Sequence, residues 1–235
     1  MQLQEDMGED VFRDRREAGR RLAQGLIHYR NAKNTIIVAL PRGGVAVGYE
    51  ISLALHLPLD VLITRKLGTP GNPELAMGAL AETGYRHMNS DVLRECHVSS
   101  DQLEEEVRRQ QEEIKRRIER YRQGKPLLSL AGRTVILVDD GIATGATFFA
   151  SLAALRAAHV QRLVAAVPVA PRHVPAKLRR EVDDVVVLAT PPIFHAIGQF
   201  YLDFHQVSDE DVVNDLEKAR NALHEKGSSH ADDPR

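Results

Sequence analysis

Val135–Thr147, VILVDDGIATGAT, packs a strand signal, two acids and a helix start into thirteen residues. Val135 to Val138 form a short continuous apolar run, the kind buried on both faces of a parallel sheet. That run delivers Asp139 and Asp140 at its carboxyl end, and a short turn then leads through Ala143, Thr144, Gly145, Ala146 and Thr147 into a helix. In open α/β sheets ligands bind outside the strand ends. Free backbone N–H groups and the positive end of a helix dipole suit a phosphate at that place. Gly145 lets the backbone approach closely, and the hydroxyls of Thr144 and Thr147 add hydrogen bonds. The two carboxylates can accept from a diol or help hold a divalent cation. A phosphate cradle beside a diol or cation site predicts a sugar phosphate. Capping alone would explain one Thr or Asp, but not two charges at one buried strand end. No Gly-Lys-Ser/Thr ending and no G-x-G-x-x-G after the first strand occur, which argues against a P-loop and a dinucleotide fingerprint.

Similar apolar runs lie at Thr35–Leu40 and Leu163–Val169, with weaker ones at Leu59–Thr64 and Val185–Ala189. Helix-like stretches separate them at Val45–Leu57, Ala146–Ala158 and Val174–Val182. The alternation predicts an α/β fold: an open, mostly parallel five-stranded sheet flanked by helices. Residues 66–88 interrupt the rhythm. LGTPGNPE has two prolines and two glycines and reads as a loop, with Gly68–Glu74 as a lid; LAMGALAE and YRHM read as hairpin strands. A long helix is expected over 99–123, opened by a Ser99/Gln102 capping box and striped with Leu103, Val107, Ile114, Ile118 and Tyr121. The stripe suits packing within the subunit and leaves a homodimer contact open. Ser208 caps a last helix carrying Val212, Val213, Leu216, Ala219 and Leu223. The expected organisation is one domain over 10–226, with a C-terminal hood at 190–226, followed by a polar, disordered tail at 227–235.

The chain has 235 residues, 43% hydrophobic and 27% charged, enough for a sizeable core and unlike a disordered or fibrous chain. No apolar run approaches the ~20 residues needed to cross a bilayer, and the acidic start lacks a signal-peptide pattern. The single cysteine, Cys96, forms no internal disulfide and has no activating neighbours; it reads as a buried or idle thiol. A net charge of −2 gives no general attraction for nucleic acid. These features predict a soluble cytoplasmic protein with no nucleic-acid or membrane partner.

VILVDDGIATGAT resembles the PRPP-binding motif of type I phosphoribosyltransferases, PRPP being 5-phosphoribosyl 1-pyrophosphate. VALPRGGVAVG (Val38–Gly48) looks like that family's pyrophosphate loop, and ITRKLGTPG (Ile63–Gly71) like the Arg-Lys segment before its mobile loop. The set PRGG, RKLG-x-PGNPE, DDG-x-ATG-x-T and YxDFxQVSDE is similar in particular to bacterial predicted phosphoribosyltransferases without an established substrate, over roughly residues 10 to 215.

The resemblance implies the type I phosphoribosyltransferase fold and transfer of the phosphoribosyl group of PRPP to a nitrogenous base or amine, with magnesium as cofactor, pyrophosphate released and a place in nucleotide salvage. It implies that Asp139 and Asp140 hold the ribose hydroxyls, directly or through the metal, and that Ala143, Thr144, Gly145, Ala146 and Thr147 grip the 5′-phosphate. Arg42, Gly43 and Gly44 would take the pyrophosphate, and Arg65 and Lys66 would neutralise it as it leaves. Ala143 stands where 6-oxopurine enzymes place an aspartate, which makes hypoxanthine and guanine poor candidates. In adenine-type enzymes the hood supplies a glutamate, a part for Glu82 or Glu74. Phe194 or Phe200 would stack on a base, or else seal the sheet edge, and Asp203 would face the metal with Asp139 and Asp140. A PRPP-sensing regulator, or a hydrolase or phosphorylase of a phosphoribosyl compound, are the competing readings of the same site.

Overall fold

The structure, a computed structural model, describes residues 11–228. Its main sheet has five parallel strands: β1 (Thr35–Ala39), β2 (Leu59–Val61), β6 (Thr134–Val138), β7 (Arg162–Val169) and β8 (Asp184–Ala189), in the order β2-β1-β6-β7-β8. A separate antiparallel sheet is built from β3 (Thr64–Thr69), β4 (Asn72–Ala81) and β5 (Arg86–Met88). The helices are α1 (Arg15–Gly25), α2 (Gly43–Leu55), α3 (Ser90–Glu95), α4 (Ser100–Arg122), α5 (Ala146–Ala157), α6 (Val174–Glu181) and α7 (Asp209–Ser228).

The strands are apolar throughout because both faces are covered. Side chains alternate between faces at a period of two. Ile36, Val38, Val135 and Leu137 therefore pack with Phe148, Leu152 and Leu178 of α5 and α6. Their neighbours Ile37, Ile136 and Val138 pack with Leu22, Ala23, Val47 and Ile51 of α1 and α2. The five expected strands and three expected helices all form. Helix α1 is an addition to them; Asp14 caps it, and Ala18, Leu22 and Ala23 are its buried face.

The stretch LGTPGNPE is not a loop. β3 continues through Leu67-Gly68-Thr69 and β4 resumes at Asn72, so the expected lid at Gly68–Glu74 is the tip of a hairpin. Pro70 and Gly71 (φ 76°) form a turn with Thr69 paired to Asn72, the Pro-Gly pattern of a type II turn. Pro73 sits opposite a register shift, where its missing donor costs no regular ladder bond. The long helix has the expected Ser99/Gln102 capping box. Its stripe is used inside the chain: Val107, Ile114 and Tyr121 join Leu67, Met77 and Leu80 of the hairpin and Val212 and Leu216 of α7. Helix α7 runs through 227 and 228, the first residues of the expected tail; 229–235 lie outside the described residues, as do residues 1–10. Among the described residues no helix is long and apolar enough to cross a membrane.

Leu137 is fully buried on the central strand between two packed layers. Leu137→Ala is expected to cost about 3 kcal/mol, the middle of the range for such cavities, read as a lower urea midpoint at unchanged slope.

Candidate active site

The strand order reverses between β1 and β6. The chain leaves β1 towards β2 on one side and leaves β6 towards β7 on the other, so the two following loops part and open a crevice at this switch point. After β1, Pro41 and Arg42 are joined by a cis peptide and Arg42 occupies the N-cap of α2. Gly43 and Gly44 are thus the first turn of a helix rather than loop residues. After β6 come Asp139 and Asp140, an irregular turn, and Gly145 at the N-cap of α5 in the left-handed region (φ 79°). No side chain caps either helix. The first turns of the two helices thus lie at the same crevice with no side chain accepting from them, although at α2 the Gly44 and Val45 N–H groups donate to the Leu40 and Arg42 carbonyl oxygens at 3.1 and 3.2 Å; both dipoles favour an anion there. Ala143, Thr144 and Ala146 are exposed around this turn, Thr147 is half-buried and Gly145 is buried.

The glycines allow the two loops to touch. A Cβ on Gly43 would overlap the Asp140 carboxylate, and one on Gly44 would lie 2.9 Å from the Asp139 Cα and from the Val138 carbonyl oxygen. Asp139 Oδ1 accepts the Asp140 N–H at 2.9 Å. Asp140 Oδ2 accepts from Arg15 Nε at 2.7 Å, with both side chains nearly buried. Protein atoms crowd out water around both acids although each keeps a narrow opening to solvent. This desolvation, reinforced by the neighbouring Asp140 charge, pushes the Asp139 carboxyl well above the usual carboxylate range. Desolvation also raises Asp140, but Arg15 opposes it through charge and hydrogen bond.

Arg15, 9% exposed, is a site residue without a local sequence signal, because its partner lies 125 residues away. It also donates to the His205 carbonyl at 2.9 Å and lies over the Phe204 ring at 3.8 Å. Tyr201, another member outside the expected set, donates its hydroxyl to the Asp140 carbonyl at 2.7 Å. Burial raises its pKa, and the charge of Asp140 adds to the effect.

The remaining expected residues are dispersed. Arg42 lies near Tyr121 and Asp209; burial pushes the Tyr121 hydroxyl up to about 12, and the hydrogen bond from Tyr121 holds the Asp209 carboxyl below its ordinary value, with the Arg42 charge a lesser influence on both. Arg65 is turned to α4, where Nε donates to Gln110 at 2.9 Å; desolvation, with Arg117 next, lowers its pKa. Lys66 reaches the Glu74 carbonyl at 3.2 Å and its carboxylate at 3.3 Å. Glu82 is not a cleft carboxylate: it is 4% exposed, ion-paired with the buried Arg122 and accepting the Ile63 N–H at 2.8 Å. Phe200 is buried in a cluster with Phe12, Val169 and Ala189, and Phe194 packs on it at 5.1 Å, so these rings seal the sheet edge. Asp203 is exposed and accepts from His205 Nδ1 at 2.8 Å, a bond that lowers its pKa. It does not join Asp139 and Asp140: among the described residues no three potential metal ligands come together. Cys96 is exposed, not buried.

A five-stranded parallel sheet with an acid pair and two uncapped helix starts at its switch point is the architecture of the type I phosphoribosyltransferases. The phosphoribosyl transferase domain family matches residues 12–205, and the chain belongs to that family. A protein from two strains of Mycobacterium tuberculosis, named "putative phosphoribosyl transferase", is 44% identical over 221 residues, 94% of this chain and 50% of its own length. The chain thus spans about half the length of the curated relatives it matches. The crystal structure of TT1426 from Thermus thermophilus superposes with a TM-score of 0.75 at 42% identity, covering 88% of this chain and 98% of that one.

The raised Asp139 carboxyl makes a stability prediction. Its folded pKa exceeds its unfolded one, so the folded state holds the proton more tightly and loses stability as pH rises through the folded value. Asp139→Asn keeps the acceptor for the Asp140 N–H and removes the charge. It is expected to raise stability at pH 8 by about 1 kcal/mol, and the gain should fade on acidification as the wild-type carboxyl takes up its proton. Urea titrations at stepped pH read this directly.

Proposed function

We propose that the chain transfers the phosphoribosyl group of PRPP to a nitrogenous base or amine and releases pyrophosphate. The observation that carries this reading is the pair of desolvated carboxylates set between two uncapped helix N-termini at one switch point. The start of α5 takes the 5′-phosphate, with Thr144 and Thr147 adding hydroxyl donors. Asp139 and Asp140 accept from the ribose 2′- and 3′-hydroxyls. The start of α2, with Arg42, receives the pyrophosphate. Lys66 is the hairpin cation free to turn to that group, since its partner Glu74 is 94% exposed and such pairs hold weakly.

The nitrogen attacks C1 as the C1–O bond breaks, and the bonding electrons leave with pyrophosphate. Positive charge builds on the sugar, where the acid pair stands, and negative charge on the leaving group, where the helix start and cations stand. The acceptor's surplus proton passes to solvent or to Glu74, because Glu82 is committed to Arg122. Asp139 and Asp140 carry one negative charge more than Arg15 neutralises, which suits a cation shared with the substrate's own oxygens. Asp139 and Asp140 would hold such a magnesium ion, which would supply charge neutralisation to the bound substrate.

Calorimetric titration of PRPP tests the site. Binding is expected with magnesium, weaker without it, and weakened about 10- to 100-fold by Asp139→Asn, the scale of a charged hydrogen bond. Heat that is absent under every condition would sink the PRPP reading. Pyrophosphate release, screened over bases and small amines, then identifies the acceptor; binding with no release for any acceptor would mark a sensor instead.

A further inference from the structure

Away from the switch point, the edge strand β2, the C-terminal end of α4 and helix α7 enclose a cavity of about 340 Å³. Its apolar lining includes Leu216 and Leu223, and its charged lining consists of Asp60, Arg122, Lys125 and Arg220. Arg122 is 5% exposed. It is ion-paired with Glu82 on one side and lies 3.7 Å from Asp60 Oδ1 on the other, yet its Nε and Nη1 atoms find no hydrogen-bond acceptor among the described residues. A buried guanidinium keeps all five of its donors charged and hungry for acceptors. Asp60 already accepts the Val61 N–H at 2.8 Å. Counted with Glu82 behind Arg122, the group holds three cations and two carboxylates; Arg122 is balanced by the two acids, and the excess positive charge lies on the exposed Lys125 and Arg220 at the mouth.

We propose that this cavity is a binding site for a small organic carboxylate, its head received by Arg122 with Lys125 and Arg220 and its apolar body laid against Leu216 and Leu223. The single excess charge favours a carboxylate over a phosphate monoester, which carries closer to two charges at neutral pH. A water molecule would satisfy the free N–H groups of Arg122, whose charge Glu82 and Asp60 already balance, but would give the exposed cations Lys125 and Arg220 at the mouth no counter-charge. The volume lies at the small end of ligand pockets and matches a ligand of one ring or a short chain. The inference is independent of the PRPP reading, since none of these residues takes part in that site.

The test is an NMR titration of the full chain with sodium benzoate, and separately with inorganic phosphate, at constant ionic strength. Benzoate is expected to produce saturable shifts at the Leu216 and Leu223 methyls. It should also slow exchange of the Ile63 amide, whose acceptor Glu82 is held by Arg122. Phosphate should leave both methyls in place. Arg122 variants would strand two buried acids and fail to fold, so the exposed pair is changed instead: Lys125→Gln with Arg220→Gln should leave the protein folded and weaken benzoate at least tenfold. No saturation by benzoate, equal affinity in the double variant, or phosphate shifting the same methyls as strongly would each overturn the proposal.

Discussion

Two adjacent carboxylates have to be kept out of water at the end of β6, and much of the molecule is arranged around that requirement. An unpaired buried charge is among the most costly things a fold can hold. Arg15 offsets one of the two, and in doing so anchors α1 to the site and to the 201–205 segment, through Asp140 and the His205 carbonyl. The other charge has no cation within the described residues to match it. Gly43 and Gly44 follow from the same constraint, because only a backbone without Cβ lets α2 begin against the acids. The pair is therefore destabilising as it stands, its charge only half matched by Arg15. That pattern belongs to a binding site and not to a structural salt bridge.

The C-terminal aromatics serve the same centre indirectly. Phe12 and Phe204 pack on the two sides of Tyr201, at 5.4 and 5.0 Å between ring centroids, and Arg15 lies over Phe204. Residue 12 is further clamped by backbone bonds to Phe200 and Leu202. These contacts hold the Arg15 guanidinium in one place without using a second carboxylate, which would cancel its effect on Asp140. The rings are thus the frame for the charge.

Local sequence exposes those parts of the fold whose cause is local. Runs such as TIIVA and TVILV are continuous because both faces of each strand are covered, and a glycine before Ala146 marks a helix start that nothing caps. Where the cause is distant, the sequence is silent. Glu82 looks like any hood carboxylate until Arg122, forty residues on, is seen closing over it. Arg15 is one arginine in the run RDRRE and is distinguished only by Asp140. The hairpin tip departs from its loop-like composition for another reason: prolines and glycines mark loops by their frequency, but here one pair makes a two-residue turn and Pro73 falls at an irregularity in the ladder. Asp14 with Glu17, followed by Ala18 and Leu22, does carry the signature of α1.

The hairpin itself is held unevenly. At its root, Glu82 is fixed by Arg122 and the Ile63 N–H, Thr64 bonds Ser151 of α5, and Arg65 is tied to Gln110. Leu67, Met77 and Leu80 are buried against α4, so this half is part of the core. Beyond Gly68 the strands turn outward, residues 70–75 are exposed, and the ion pair holding the tip is Lys66 with a solvated Glu74. Because neighbours on a strand face opposite ways, Arg65 stays with α4 while Lys66 sits on the face that can lose its partner at little cost. The Gly68 N–H donates to Glu106 of α4, so the strand braces the core up to Gly68, while Lys66 is held only by the exposed Glu74.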